Sequence, residues 1–400
     1  MTTGRVPNSL SLAKSFKRLE SAIDNSIGRR RLGYIVLAVI ILFFLWFPND
    51  TSQSNYAKTV FISGFFYAIM SSSWALLAGI AGQFSFGHMA FMGIGAYVAG
   101  LFARDGIIFA ALGIAITPES ISAIGSIIIG TLVAGLVGLV IGWLLLRLRS
   151  AYLALFTIAF SELFRIMMLT EYDYTGGSNG LSLRPLLQIA DVDAARQVEY
   201  YLMFGLLVVC LLAMYWVANS PIGLFLRAMR EDEDAASALG VNVVRYKILI
   251  FVFTSMIVGL AGAVFYSDVG SERIIPEQLE VLQMSLIIAY AVIGGMESLI
   301  GAAAGAFISR YLLEAMREVV ISFPLGLTLP DGTDAFVWET GAWRFALFGV
   351  VMVFTLRYMR NGLLYPLINW FSGRDLAMKE TVSKRDSDDD YAEPLEAGDE

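Results

Sequence analysis

The sequence predicts an all-α polytopic integral membrane protein with about ten transmembrane helices, a short re-entrant or interfacial segment and one helical cytoplasmic loop. Three observations predict it: an excess of apolar residues, their grouping into runs of membrane length, and a segregation of Lys and Arg between alternate loops. Of the 400 residues, 57% are hydrophobic and 16% charged, and the mean hydropathy is +0.67. A soluble domain averages about 25% charged residues, so the apolar excess must face lipid.

A membrane-crossing helix needs about 20 mostly apolar residues. Runs of that kind fall at 32–47, 59–81, 88–103, 122–147, 151–169, 200–218, 248–268, 281–297, 299–321 and 343–358, which makes ten. One further run, Ile107 to Ile116, is too short to cross and lies between Asp105 and Glu119, as suits an interfacial or re-entrant piece. Basic residues in short loops mark the cytoplasmic side. With ten spans, the basic amino terminus, Arg147 and Arg149, Arg227 and Arg230, Arg245 and Lys247, and Arg357 with Arg360 all fall on that side. The opposite side receives only scattered basic residues such as Lys58, Arg104, Arg184, Arg196 and Arg273.

Residues 1–31 read as a cytoplasmic basic leader that precedes an uncleaved first span. Residues 32–373 form the transmembrane domain, and 374–400, rich in Asp and Glu and poor in apolar residues, read as an acidic disordered tail. Both termini are then cytoplasmic, in a multi-pass membrane protein.

Candidates for chemistry are few. Cys210 and His88 are the sole cysteine and histidine, which leaves no disulfide framework and no His/Cys metal site. No GxxxxGK[ST] phosphate-binding loop occurs, so ATP hydrolysis by this chain is excluded. The expectation is therefore a non-enzyme with no catalytic residues, no metal and no cofactor of its own, and nothing in the charge pattern calls for nucleic acid. Intramembrane ionisable residues invite a functional reading by default. Here Glu162 with Arg165, and Arg310 with Glu314, stand three and four residues apart, so structural pairing on one helical face is the simpler reading.

The loop at 220–247 is long, charged and bounded by apolar runs. Ser220 stands where a cap would, Pro221 suits a first turn, Ala235, Ala236, Ala238 and Leu239 favour helix, and Gly240 supplies a stop. Composition alone equally allows an ordinary positive-inside connection. Its run RAMREDEDAASALGVNVVRYK, followed by FVFTSMIVGLAGAVFY, resembles the signature of the branched-chain amino acid ABC permease family, LivM type. That resemblance implies a coupling helix for an ATP-binding subunit, with Arg227, Arg230, Glu231, Asp234, Ala235, Ala236 and Gly240 at matching positions.

SSSWALLAGIAGQFSFGHMAFMGIGAYVAG resembles the family's first block, with Gly82, Gln83, Ser85, Gly87 and His88 in the pattern. Physically, a polar, flexible segment between two apolar runs survives at membrane depth only when buried or lining a cavity. Gln83, Ser85, Gly87 and His88 are thus candidates for a translocation pathway, whereas Gly93, Gly95 and Gly100 read as helix-packing glycines. TGGSNGLS resembles a Gly-rich extracytoplasmic loop, which makes Gly176, Gly177, Ser178, Asn179 and Gly180 candidates for an outer gate or receptor contact, against a plain turn cluster. AYAVIGGMESLIGAAAGAFI resembles a late block through Gly294, Gly295, Ser298, Gly301 and Gly305, but Glu297 departs from it.

The resemblance covers residues 55–365. It implies a permease subunit of an importer for branched-chain amino acids, working by alternating access with a second permease subunit in a heterodimer, two ATP-binding subunits that carry ATP and Mg, and a periplasmic solute-binding protein. Urea or short-chain amides are the alternative cargo. An ion-coupled secondary transporter using Glu162 or Glu314 is the alternative mechanism, and a channel would require polar rings that the sequence lacks.

Overall fold

The computed structural model describes residues 32–33, 35–49, 54–104, 123–145, 150–183, 186, 189, 191–267, 273–317, 320–322, 337–359 and 362–363. The basic leader, the Ile107–Ile116 run and the acidic tail lie outside the described residues. The chain divides into two units, Met1–Phe47 with Tyr365–Glu400, and Pro48–Leu364. In the first, Phe43 packs edge-on against Phe44 at 5.6 Å between ring centroids.

Helices occupy all ten expected segments. They are α1 (Ile35–Asn49), α2 (Asn55–Ile80), α3 (His88–Arg104), α4 (Ala123–Leu145), α5 (Ser150–Thr170) and α6 (Val192–Asn219). After two loop helices, α7 (Pro221–Glu231) and α8 (Glu233–Ala238), come α9 (Val243–Tyr266), α10 (Val281–Gly294), α11 (Leu299–Ala315) and α12 (Thr340–Tyr358). A short antiparallel ladder, β1 (Val320–Ser322) with β2 (Val337–Glu339), precedes α12.

Length and apolarity carry fewer crossings than ten. Among the described residues five helices, α2, α4, α5, α6 and α9, are long and apolar enough, and a sixth is reached if α10 and α11 count as one span bent by 118°. The reason is rise per residue: the 17 residues of α3 and the 14 of α10 reach only about 26 and 21 Å at ~1.5 Å each, short of a ~30 Å hydrocarbon core.

Side-chain caps start several helices. Ser54 Oγ accepts from the Ala57 amide at 3.2 Å, Asn242 Oδ1 from Arg245 at 3.1 Å and Ser298 Oγ from Gly301 at 3.1 Å. Helix α2 is the axle of the larger unit, for 94% of its most apolar window is buried within the protein, against 22% for α5. It packs on α6, α9, α10 and α11. Ser71 Oγ donates to the Ile287 carbonyl at 3.1 Å and Ser72 Oγ to Leu299 at 3.2 Å, tying α2 to both arms of the bent pair. Phe65 stacks on Phe307 at 5.4 Å, and Phe66 on Phe265 at 4.4 Å.

Small residues let α3 and α9 touch, as expected of the glycines at 93–100. A Cβ on Gly95 would come within 2.2 Å of the Gly259 carbonyl oxygen, so any side chain there forces the helices apart. On the outside, Leu132, Leu136 and Val140 of α4, Leu163 of α5 and Trp216 of α6 are exposed. An apolar flank of this kind needs lipid or another hydrophobic surface against it.

Candidate translocation machinery

Two helix breaks meet at one arginine. The last turns of α2, Ala75–Ile80, widen into a π-helix, and Gly82 follows at φ +70°. The turn at 295–298 separates α10 from α11, with Gly295 at φ +106°. The two breaks are in contact: a Cβ on Gly79 would fall 1.8 Å from the Met296 carbonyl oxygen. From the loop helix α7, the guanidinium of Arg230 donates through Nη1 to the Gly79 carbonyl and through Nη2 to Glu297 Oε1 at 2.7 Å. Glu297, the residue that departs from the family pattern, is thus the ion-pair partner of a loop arginine that matches it.

The loop is two helices, where one was expected. Asp232 divides them, its backbone extended at φ −155° and its carboxylate accepting from the amides of Asp234 and Ala235 at 2.9 and 3.0 Å. A residue that caps the second helix must leave the first. Ser220 stands at the cap position of α7, but its hydroxyl donates back to the Val217 carbonyl at 2.7 Å and caps nothing. Lys247 Nζ holds Glu233 at 2.5 Å, and Gly240 ends the loop at φ +89°. Of the seven matching positions, Arg227, Glu231, Asp234, Ala235 and Gly240 are exposed, Ala236 is buried, and Arg230 is turned inward. Leu239 beside them is 86% exposed, an apolar tip standing clear of the rest.

Gln83, Ser85 and His88 are buried, at 2%, 0% and 2% exposure. The segment is held through its backbone: Trp74 Nε1 donates to the Ser85 carbonyl at 3.0 Å, Thr157 Oγ1 accepts from Phe86 at 3.0 Å, and Ser85 Oγ accepts from Gly87 at 3.2 Å. The amide group of Gln83 has no hydrogen-bond partner among the described residues, and the buried His88 ring faces the Ser73 backbone. Burying a group such as the Gln83 amide unpaired costs about 1–3 kcal/mol.

In the glycine loop, Gly176, Gly177 and Gly180 have positive φ, while Ser178 and Asn179 are exposed at its tip. Leu181 and Ile274 exchange backbone hydrogen bonds at 3.0 and 3.1 Å, pinning this loop to the strand-like entry of the 276–279 turn.

That turn rims a cavity of about 240 Å³ beside the middle of α2, away from Gly79. Arg310, Arg344, Gln278, Gln283, Tyr67 and Tyr290 give it a polar lining. Arg310 lies over the Tyr67 ring at 5.3 Å and pairs with Glu314 at 3.5 Å. Glu314 also accepts from Tyr56 at 3.0 Å and Arg317 at 3.2 Å. The pairing expected of Arg310 with Glu314 is present, as is that of Glu162 with Arg165 at 2.5 Å. The sequence reading singled out only Arg310 among these lining residues. An arginine at 344, inside the predicted run 343–358, was the available signal; the glutamines and tyrosines carry none.

A family model described as the branched-chain amino acid transport system permease component matches residues 56–356. The chain belongs to that family. It is similar to the high-affinity branched-chain amino acid transport system permease protein LivM of Salmonella typhimurium, 27% identical over 76% of this chain and 71% of the relative. LivM of Escherichia coli is 26% identical over the same shares, and a probable LivM of Methanocaldococcus jannaschii is 26% identical over 62% and 71%. A ribose import permease, RbsC of Haemophilus influenzae, is 24% identical over 49% of this chain. No solved structure matches. The permease is accordingly a multi-pass membrane protein, and the matched region contains both helix breaks, the α7–α8 loop and the cavity.

Proposed function

We propose that the permease forms, with a second permease subunit, the path of an importer for branched-chain amino acids, driven by two separate ATP-binding subunits and loaded by a periplasmic binding protein. The observation that carries the ATP-driven mechanism is Arg230, which joins the loop helix to both helix breaks. Transporters place their working parts at discontinuous helices, and a push on α7 reaches Gly79 and Glu297 through a single guanidinium. In this reading Ala235, Gly240 and exposed Leu239 seat against the ATP-binding subunit, with Arg227, Glu231 and Asp234 around them. Gln83, Ser85, Gly87 and His88 border the moving path, and the 176–180 tip receives the binding protein. The helices α1, α3, α10, α11 and α12 complete ten crossings, and ATP with Mg stays on the partners.

The test is reconstitution with the co-encoded subunits, measuring which solutes raise ATP hydrolysis. Leucine, isoleucine and valine are expected to do so, and urea is not. Uptake by this chain alone under an ion gradient overturns the reading.

A further inference from the structure

Among the described residues, two guanidiniums line the 240 Å³ cavity and no carboxylate does. Glu314, the carboxylate paired with Arg310, is shared with Arg317. Among the described residues, Arg344 meets the Leu313 carbonyl, at a long 3.4 Å, and the Phe345 ring at 4.9 Å. Its Nε is buried with no partner among the described residues. A guanidinium within a membrane domain is costly without an anion, and its planar fork fits a carboxylate through two parallel N–H donors. Around that charge the wall is mixed. Gln283 offers an amide carbonyl, and Phe66, Leu286 and Leu313 an apolar surface.

We propose that this cavity is a solute site of the permease, in which Arg344, seconded by Arg310, holds the carboxylate of a free α-amino acid. The ammonium of such a zwitterion finds the Gln283 carbonyl and the tyrosine rings, and a branched apolar side chain finds Phe66, Leu286 and Leu313. A neutral amide or urea leaves the excess charge uncompensated, so the site selects against that alternative cargo. The cavity lies beside Ser63 and Tyr67 of α2, 12–16 residues before Gly79, or about 18–24 Å along the helix. Solute and loop helix thus act on separate stretches of the same helix, its middle and its end. The proposal rests on the amino-acid importer reading but is tested separately from it.

In the assembled complex, phenylglyoxal labelling of Arg344 is followed by mass spectrometry, with L-leucine or 3-methylbutylamine, its decarboxylated analogue, as protectant. Protection by leucine alone is expected; no protection, or equal protection by the amine, overturns the site whether or not ATP drives uptake. Arg344→Gln is expected to lower ATP-dependent leucine uptake about tenfold or more, with Arg344→Lys intermediate because it keeps the charge and loses the fork. Uptake at the wild-type rate in Arg344→Gln overturns the site while leaving the importer reading intact. A wild-type complex that imports no branched-chain amino acid overturns the importer reading, and the labelling result then decides the cavity. Should Arg344→Gln fail to assemble, the labelling of the wild-type complex decides it as well.

Discussion

The end of α2 and its middle use arginine in opposite ways. At Gly79, Arg230 has an acceptor on each terminal nitrogen, a backbone carbonyl from one helix break and a carboxylate from the other. Near Ser63 and Tyr67, Arg344 reaches one long hydrogen bond and keeps a buried Nε unpaired among the described residues. A guanidinium whose donors are met by protein is part of the frame, and one left wanting an acceptor waits for something to arrive. The junction end is also sterically closed, with carbonyl oxygens where side chains would go, whereas the middle stretch borders open volume.

The largest effect should come from filling the closed end. Gly79→Leu would drive a side chain into the Met296 carbonyl, and the expected outcome is loss of a monodisperse complex on size-exclusion chromatography. Normal assembly would mean that the two breaks do not need their close approach. Next comes the loop that acts on that end. Ala235→Pro removes one of the two amides that Asp232 caps, costing α8 about 0.5–2 kcal/mol. The variant should still insert but lose solute-stimulated ATP hydrolysis, and full stimulation would take the coupling role away from α8.

Arg230→Ala should cost less in stability and more in coupling. Arg230 and Glu297 are 29% and 49% exposed as side chains, so their pairing itself contributes only about 0–1 kcal/mol. Uptake is expected to fall about tenfold or more while thermal stability changes little. Combined with Glu297→Ala in a double-mutant cycle, the uptake losses should be strongly non-additive; simple additivity would show that the two side chains act apart. The smallest effect is expected away from both sites. Gly205 of α6 has open space around its Cβ position, so Gly205→Ala should leave uptake unchanged and raise stability by up to about 1 kcal/mol. A damaging effect there would reveal a partner against the exposed flank of α6.

Much of this protein is readable from its residues in order. The positions of all ten helices follow from apolar runs, because lipid forces the backbone to satisfy itself locally and a helix is the local solution. The residues 82–88 and 294–298 announce themselves as breaks through Gly and polar residues within apolar surroundings. Crossing number is less legible, since a run of 14 or 17 residues reads alike as a short span or as half of a bent pair. The division of the loop into α7 and α8 was missed because Asp232 lies in a run of four acids where any one could cap.

What the sequence by itself determined is therefore local: the membrane class, the helix segments, the breaks, the i,i+3 and i,i+4 ion pairs and, through the loop motif, the family. Only the tertiary structure decided that Arg230 reaches Glu297, 67 residues away, and that Tyr67, Gln278, Arg310 and Arg344 face one cavity. Those meetings depend on how helices cross, and crossing is set by small residues and interhelical hydrogen bonds such as those of Gly79, Gly95, Ser71 and Ser72. No periodicity within one helix records which other helix it will meet.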